Sequence, residues 1–308
     1  MSAGCSSLAE GSLLLLEHVN LNVASSSHAR SFYIRGLGCC EDPFRAAKCK
    51  SLHCNVGAHC QFHTAGPEHE SYIAEEGSQI WRGHLVLVYK TNKEVIQAAN
   101  RLRDLASTDL KGTAMTVEDE DGVLRVTCPF GNKFILREAT RHEAEGLDEK
   151  NGRRKGSEGS EPLGIASVVL PCPDGAAKEV ADFYKSYLNM KTRVEGRKAI
   201  IEGGLAGCQT MEYHETQEMP AYTGDHMCMY ISDFESVFNK CLDAGLVWVN
   251  PRFVHLDETR SWEDALKYKQ FRFKSILGQD GRVIMEQEHE VRMVEHPSFP
   301  LGTCAEKP

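Results

Sequence analysis

Four short apolar runs recur along the chain: LLLLEHVNLNV at residues 13–23, RGHLVLVY at 82–89, LGIASVVL at 163–170 and GDHMCMYI at 224–231. Each is short, partly alternating and rich in Val, Leu or Met, which predicts a strand rather than a helix. A helical pattern follows every run. After the first, Ser25–Ser27 can cap a helix, Phe32 and Tyr33 supply its apolar contacts, and Gly36 and Gly38 stop it. The others lie near 94–105, 176–187 and 234–244. Further strands are predicted at 50–56, 58–64, 114–118, 122–128, 133–137, 269–274 and 282–288. The repeating unit is βαβββ, about 55–65 residues long, present four times.

One such unit leaves a sheet face exposed and cannot stand alone. Two can curl into a concave mixed sheet with helices outside. Because side chains alternate along a strand, a residue near its start can project into the cavity. The stretch TRHEAEGLDEKNGRRKGSEGSEP, 140–162, is charged and nearly free of large apolar residues. Such a composition does not repay the entropy of ordering. The expected organisation is an α+β first domain at 12–140, a charged flexible linker at 141–162, a second domain at 163–295 and a tail at 296–308.

Composition narrows the function. The chain has 308 residues and a formal net charge of -9, from 35 basic and 44 acidic side chains. Nucleic acid is therefore not an expected partner. The basic run Arg153-Arg154-Lys155 reads as linker solvation. No apolar run approaches the roughly 20 residues that span a bilayer, and the short run at 13–16 lacks the basic flank of a signal peptide. A soluble, cytoplasmic protein is expected, with no membrane partner. Twelve cysteines without a CxxC pair read as reduced thiols rather than disulfides or a zinc-thiolate site. There is no GxGxxG and no P-loop, so no nucleotide cofactor is expected. Tandem duplication lets one chain supply both modules of a cleft, so a monomer or a homodimer is equally compatible.

The paired starts LEHVNLNV and RGHLVLVY, the segment PFGNKFILRE, and the repeats FYIRGLG and FYKSYLNM resemble the vicinal oxygen chelate superfamily. This group includes glyoxalase I, extradiol dioxygenases and bleomycin resistance proteins. The resemblance covers nearly the whole chain outside the linker and termini, and implies four βαβββ modules in two tandem domains. In metal-dependent members the ligands come from the first and last strands of the modules. Carried over, it implies His18, His84 and either Gln61 or His63 as ligands in the first half, with Ile135 where a carboxylate is usual. In the second half it implies His226, with Ser167 replacing the first histidine. Glu212 or His214 and Glu286 are further candidates there, Glu286 requiring a one-residue bulge beside Met285.

Imidazole ligands suit Zn, Fe, Ni or Cu, and the divalent metal implied here is Fe, Zn, Ni or Mn. Glu212 and Glu286 would be the proton-transferring carboxylates on a small oxygenated substrate chelated in the cleft. Two functional classes follow: a metal-dependent lyase, isomerase or oxygenase, favoured by His18, His63 and His84; and a metal-free small-molecule-binding or degenerate module, favoured by Ile135, Ser167 and Met285. Phe62, Tyr213, Phe271 and Phe273 are candidate wall residues. Arg272, Arg292 and the tail EQEHEVRMVEHPSFP read as surface ion pairs and a solvated strand extension.

Overall fold

Alternating apolar positions become strands throughout the computed structural model, which describes residues 13–46, 51–69, 72, 77–120 and 123–300. The first module runs β1 (Leu13–Asn22), α1 (Ser26–Ala29), a π-helical turn (Arg30–Gly36), β2 (Cys40–Glu41), α2 (Pro43–Ala46), β3 (Leu52–Val56) and β4 (Cys60–Ala65). The second runs β5 (His84–Tyr89), α3 (Asn92–Ser107), β6 (Thr116–Glu120), β7 (Val123–Thr127) and β8 (Lys133–Glu138). After α4 (Arg141–Gly146), the third runs β9 (Pro162–Pro173), α5 (Ala177–Leu188), β10 (Lys191–Glu195), β11 (Lys198–Gly203) and β12 (Gln209–Thr216). The fourth runs β13 (His226–Ile231), α6 (Phe234–Asp243), α7 (Trp262–Tyr268), β14 (Gln270–Leu277) and β15 (Val283–Arg292).

The first three modules keep the βαβββ order. Between α6 and α7 of the fourth, residues 246–261 form turns instead of a strand. Pro251 has no N–H to give to a ladder there; Trp248 donates its backbone N–H to the Arg272 carbonyl at 2.8 Å, and Thr259 donates its hydroxyl to the Gln270 carbonyl at 2.9 Å.

The strands form two mixed sheets, in the orders β14-β15-β13-β1-β4-β3-β2 and β10-β11-β12-β9-β5-β8-β7-β6. First and last strands of a module pair in parallel: His18 stands opposite Gln61, His84 opposite Lys133 and His226 opposite Glu288. Two compact units result. The N-terminal unit is His18–Val169, and the C-terminal unit is Leu170 onward with the chain up to Glu17. The boundaries fall inside β1 and β9.

In the N-terminal unit the core is aromatic. Phe32, Tyr33, Phe62 and Phe134 are buried with ring centroids 5.0–6.2 Å apart. Helix α3 buries Val95, Ala98, Ala99, Leu102 and Leu105, the spacing of one helical face, and starts at a Thr91–Glu94 capping box. In the C-terminal unit the core contains a hydrogen-bonded chain. His289 Nδ1–H donates to the Gln287 carbonyl at 2.7 Å, which leaves Nε2 to accept from Tyr184 Oη–H at 2.5 Å. Tyr213 Oη–H in turn donates to Tyr184 Oη at 2.5 Å. Phe273 stacks on His289 at 4.3 Å. Burial pushes His289 down to about 3, so it stays neutral.

The charged segment 141–162 belongs to the N-terminal unit and lies against its β3–β4 turn. Arg154 N–H donates to the Ala58 carbonyl at 2.7 Å, and Asn55 Nδ2 donates to the Gly156 carbonyl at 3.0 Å. Ser160 Oγ accepts from Gly57 N–H at 2.8 Å and donates to the Asn55 carbonyl at 3.0 Å. Leu147 is buried, and Arg137 holds Glu143 through both guanidinium amines. Hydrogen bonds to the β3–β4 turn thus supply what the composition lacks in apolar surface. The described cysteines are free thiols, and no helix among the described residues is long and apolar enough to cross a membrane.

Gly57 has a positive φ of 68°, and a Cβ there would sit 1.7 Å from the Leu163 carbonyl oxygen. Gly57→Ala is expected to lower stability by about 1–3 kcal/mol, read as a shift in urea midpoint. An unchanged midpoint would mean the segment does not press on this turn.

A pH effect is also expected. Burial pushes His59 down to about 4 and His289 to about 3, from an ordinary value of 6.5. Between about pH 6.5 and 4 the unfolded chain takes up protons that the folded chain refuses. Stability therefore falls as pH is lowered through this window. A His59→Asn, His289→Gln variant should show a shallower fall than the parent in urea titrations at pH 7, 6 and 5. Equal slopes would refute the assignment.

Candidate ligand-binding faces

Strand alternation decides where each candidate points. In the N-terminal unit Val19 and Leu21 of β1, Cys54 of β3 and Phe62 of β4 face the core. His18, Asn20, Gln61, His63, His53 and Asn55 therefore share the opposite face. In β5 and β8, Leu85, Leu87, Phe134 and Leu136 face the core, in register with one another. His84 and Val86 consequently point away from it on the other sheet. His18 and His63 are brought together, whereas His84 lies across the aromatic core from them. The resemblance alone could not show this, because β1 and β5 enter different sheets.

The three imidazoles of the first face are stacked. His18 and His63 have centroids 3.7 Å apart at 25°, and His53 lies 3.9 Å from His63 at 40°. Hydrogen bonds fix the orientation of the middle ring. Gln61 Nε2 donates to Asp42 Oδ2 at 2.9 Å and Asn55 Oδ1 at 2.7 Å. Its amide oxygen must then be the acceptor, and His63 Nε2–H donates to it at 2.9 Å. Nδ1 is left as the acceptor atom of His63. By donor type the set suits a borderline cation such as Zn, Fe or Ni. Stacked rings hold their in-plane lone pairs nearly parallel, so coordination of one ion requires a ring to turn.

The C-terminal unit carries a different arrangement. His226 stands opposite Glu288, Cys228 opposite Glu290, and Tyr230 opposite Arg292. From β14, Arg272 stands opposite Glu290 and Gln270 opposite Arg292. The Arg272 guanidinium divides itself among three carboxylates. Nε donates to Asp257 at 3.0 Å, Nη1 to Glu288 at 2.7 Å and Nη2 to Glu290 at 2.5 Å. It lies 4.7 Å from the Phe253 ring centroid. Glu288 Oε2 accepts from Asn250 at 2.8 Å. Arg292 reaches Glu17 at 3.2 Å, the Gln270 amide oxygen at 3.2 Å, and Glu290. His226 Nε2 is 3.4 Å from Glu290 and Nδ1 3.9 Å from Glu288. Burial opposes the charge on Arg272, but Glu290, Asp257 and Glu288 outweigh it and hold its pKa above the ordinary arginine value.

Two expectations are corrected here. Arg272 and Arg292 are not surface ion pairs, and the Glu-His-Glu run is not solvated: Glu288, Glu290 and Arg272 are each at most 2% exposed. Strand β15 continues to Arg292, and residues 250–257 supply Asn250, Phe253 and Asp257 to cover its polar face. The β14–β15 register shifts twice, between Phe273 and Ser275 and between Ile276 and Leu277, the second beside Met285. It is Glu288, however, that stands opposite His226. Glu286 binds Lys274 at 2.9 Å and stays 43% exposed. Glu212 lies on β12 of the eight-stranded sheet, partly exposed and 2.8 Å from His214. Glu288, Glu290 and Arg272 were missed as site residues. The signal available was a charged residue at every second position, Glu288, Glu290 and Arg292, in a strand whose alternate members are His289 and Val291.

No protein-family profile matches the sequence, and no curated protein matches it. Solved structures do. Glyoxalase I from Zea mays is 14% identical, with 91% of this chain and 92% of that chain covered and a TM-score of 0.54. A Bacillus subtilis protein proposed to be a dioxygenase is 13% identical, with 94% and 88% covered and a TM-score of 0.54. At such identities the likeness is one of fold. The chain has the vicinal oxygen chelate fold, in its two-domain, four-module form.

Proposed function

We propose that the protein is a cytoplasmic, divalent-cation-dependent enzyme acting on a small oxygenated molecule, as a lyase, isomerase or oxygenase. His18 and His63 would hold the cation, with His53 beside them. The gathering of three imidazoles on β1, β3 and β4, one face of the N-terminal unit, carries this reading. His18 and His63 stand on the first and last strands of a module, where the resemblance implies ligands. Zn, Fe, Ni and Mn are the candidate ions. A bound ion would act as a Lewis acid on two neighbouring substrate oxygens. The chain's own contribution is orientation: Asp42 and Asn55 hold the Gln61 amide, and Gln61 keeps the proton of His63 on Nε2. That leaves Nδ1 as the ligand atom, the usual role of a hydrogen-bonded neighbour to a metal-binding histidine. A second reading, a small-molecule-binding module without metal, is favoured by Arg272, whose guanidinium already engages the carboxylates nearest His226.

Metal analysis of untagged protein should find near-stoichiometric Zn, Fe, Ni or Mn. A His18→Ala, His63→Ala variant, checked for folding by circular dichroism, should lose it. Equal metal content in both proteins, or none after loading with each ion, would favour the second reading.

Gln61→Leu should weaken metal affinity by about 10–100-fold while leaving secondary structure intact. Competition against a chelator measures this, and an unchanged affinity would remove Gln61 from the orienting role.

A further inference from the structure

Three amide side chains share the polar face that carries His18, His53 and His63: Asn20, Asn55 and Gln61. Two of them are committed. Gln61 Oε1 accepts from His63 at 2.9 Å, and its Nε2 donates to Asp42 and Asn55. Asn55 Oδ1 accepts that second bond, and its Nδ2 donates to the Gly156 carbonyl. Asn20 Oδ1 differs: it is buried and has no hydrogen-bond partner among the described residues. A carbonyl oxygen removed from water without a partner is destabilising unless an ion or a ligand engages it. The register places this oxygen. Asn20 is two residues beyond His18 on β1 and directly opposite His63 on β4. Its neighbours on the face are thus the two imidazoles assigned to the cation.

We infer that Asn20 is a third ligand, its amide oxygen binding the cation held by His18 and His63. The inference rests on that reading of the two histidines. An amide oxygen is a hard, neutral donor of the kind that coordinates Ca²⁺ and Mn²⁺. Two imidazoles and one such oxygen carry no charge, so the chain neutralises none of the ion's charge. The oxygen also biases the choice among Zn, Fe, Ni and Mn. Imidazole suits Zn, Fe and Ni, whereas carbonyl oxygen suits Mn. Loss of Asn20 therefore weakens Mn²⁺ binding more than Ni²⁺ binding. An asparagine with no ligand role gives a different expectation: with no bond to lose, its replacement leaves metal affinity unchanged.

The test compares the parent with Asn20→Leu, of similar size, and Asn20→Asp, which keeps the oxygen. Affinities for Mn²⁺ and Ni²⁺ are measured by competition against a chelator. Visible absorption of the Co²⁺-loaded proteins reports the ligand set. Without metal, Asn20→Leu should match or exceed the parent's urea midpoint, because no hydrogen bond is lost. It should weaken Mn²⁺ binding by about 10-fold or more, weaken Ni²⁺ binding less, and shift the Co²⁺ bands. Asn20→Asp should bind Mn²⁺ at least as tightly as the parent. If Asn20→Leu does not fold, Asn20→Ala is read in the same way. Unchanged affinity and Co²⁺ bands in Asn20→Leu, with metal still lost in His18→Ala, His63→Ala, would overturn the third ligand and leave the two histidines standing. A parent that binds none of the ions would overturn both. Equal losses in Asn20→Leu and Asn20→Asp would point to shape rather than to the oxygen and would also overturn it.

Discussion

Parallel pairing of a module's opening strand with its closing strand is the constraint on which the structure depends. It is observed for β1 with β4, β5 with β8 and β13 with β15. With a side-chain period of two, each pair presents one apolar face and one polar face. The apolar faces build the two cores, through Phe62 and Phe134 in one unit and Met227, Met229 and Val291 in the other. The polar faces then bring residues distant in sequence into register, such as His18 with Gln61 and His226 with Glu288. A one-residue slip in either pair would exchange core for polar face and abolish both at once.

The two units meet the difficulty of a buried polar face in different ways. The N-terminal unit uses mainly neutral groups, with the Asp42 carboxylate satisfied by the Gln61 amide and by backbone N–H donors. Imidazoles stack, and amides from Gln61 and Asn55 tie them to the backbone, so no large charge is buried without a partner. The C-terminal unit uses full charges and must match them closely, which Arg272 and Arg292 do against Glu17, Asp257, Glu288 and Glu290. The first solution leaves ring orientations adjustable by small rotations. The second is stiff, since moving one charge uncovers another.

Much of the architecture was legible in the sequence because it rests on periodicity. The four opening strands, the helix after each, and the α+β repeat follow from short apolar runs and their spacing. What sequence could not supply was partnership between strands. His18, His63 and His84 look equivalent along the chain, yet sheet membership separates His84 from the other two. Glu286 was favoured over Glu288 because counting from a glycine cannot locate a bulge. The burial of Arg272 was hidden for a related reason: its cover comes from residues 250–257, which replace an expected strand and whose path no local pattern fixes. The charged segment at 141–162 was read by composition alone, and its hydrogen bonds to a turn have no compositional signature.

That segment has an effect beyond connection. Its Gly156 carbonyl receives Asn55, Asn55 receives Gln61, and Gln61 receives the Nε2 proton of His63, three hydrogen bonds in series. Each amide in the series can point only one way once its neighbour is set. The peptide group at 156 thus serves as a fixed post, and the tautomer of a half-buried imidazole is determined by backbone about one hundred residues away in sequence. A stretch with the composition of a tether works as a reference point for a single proton.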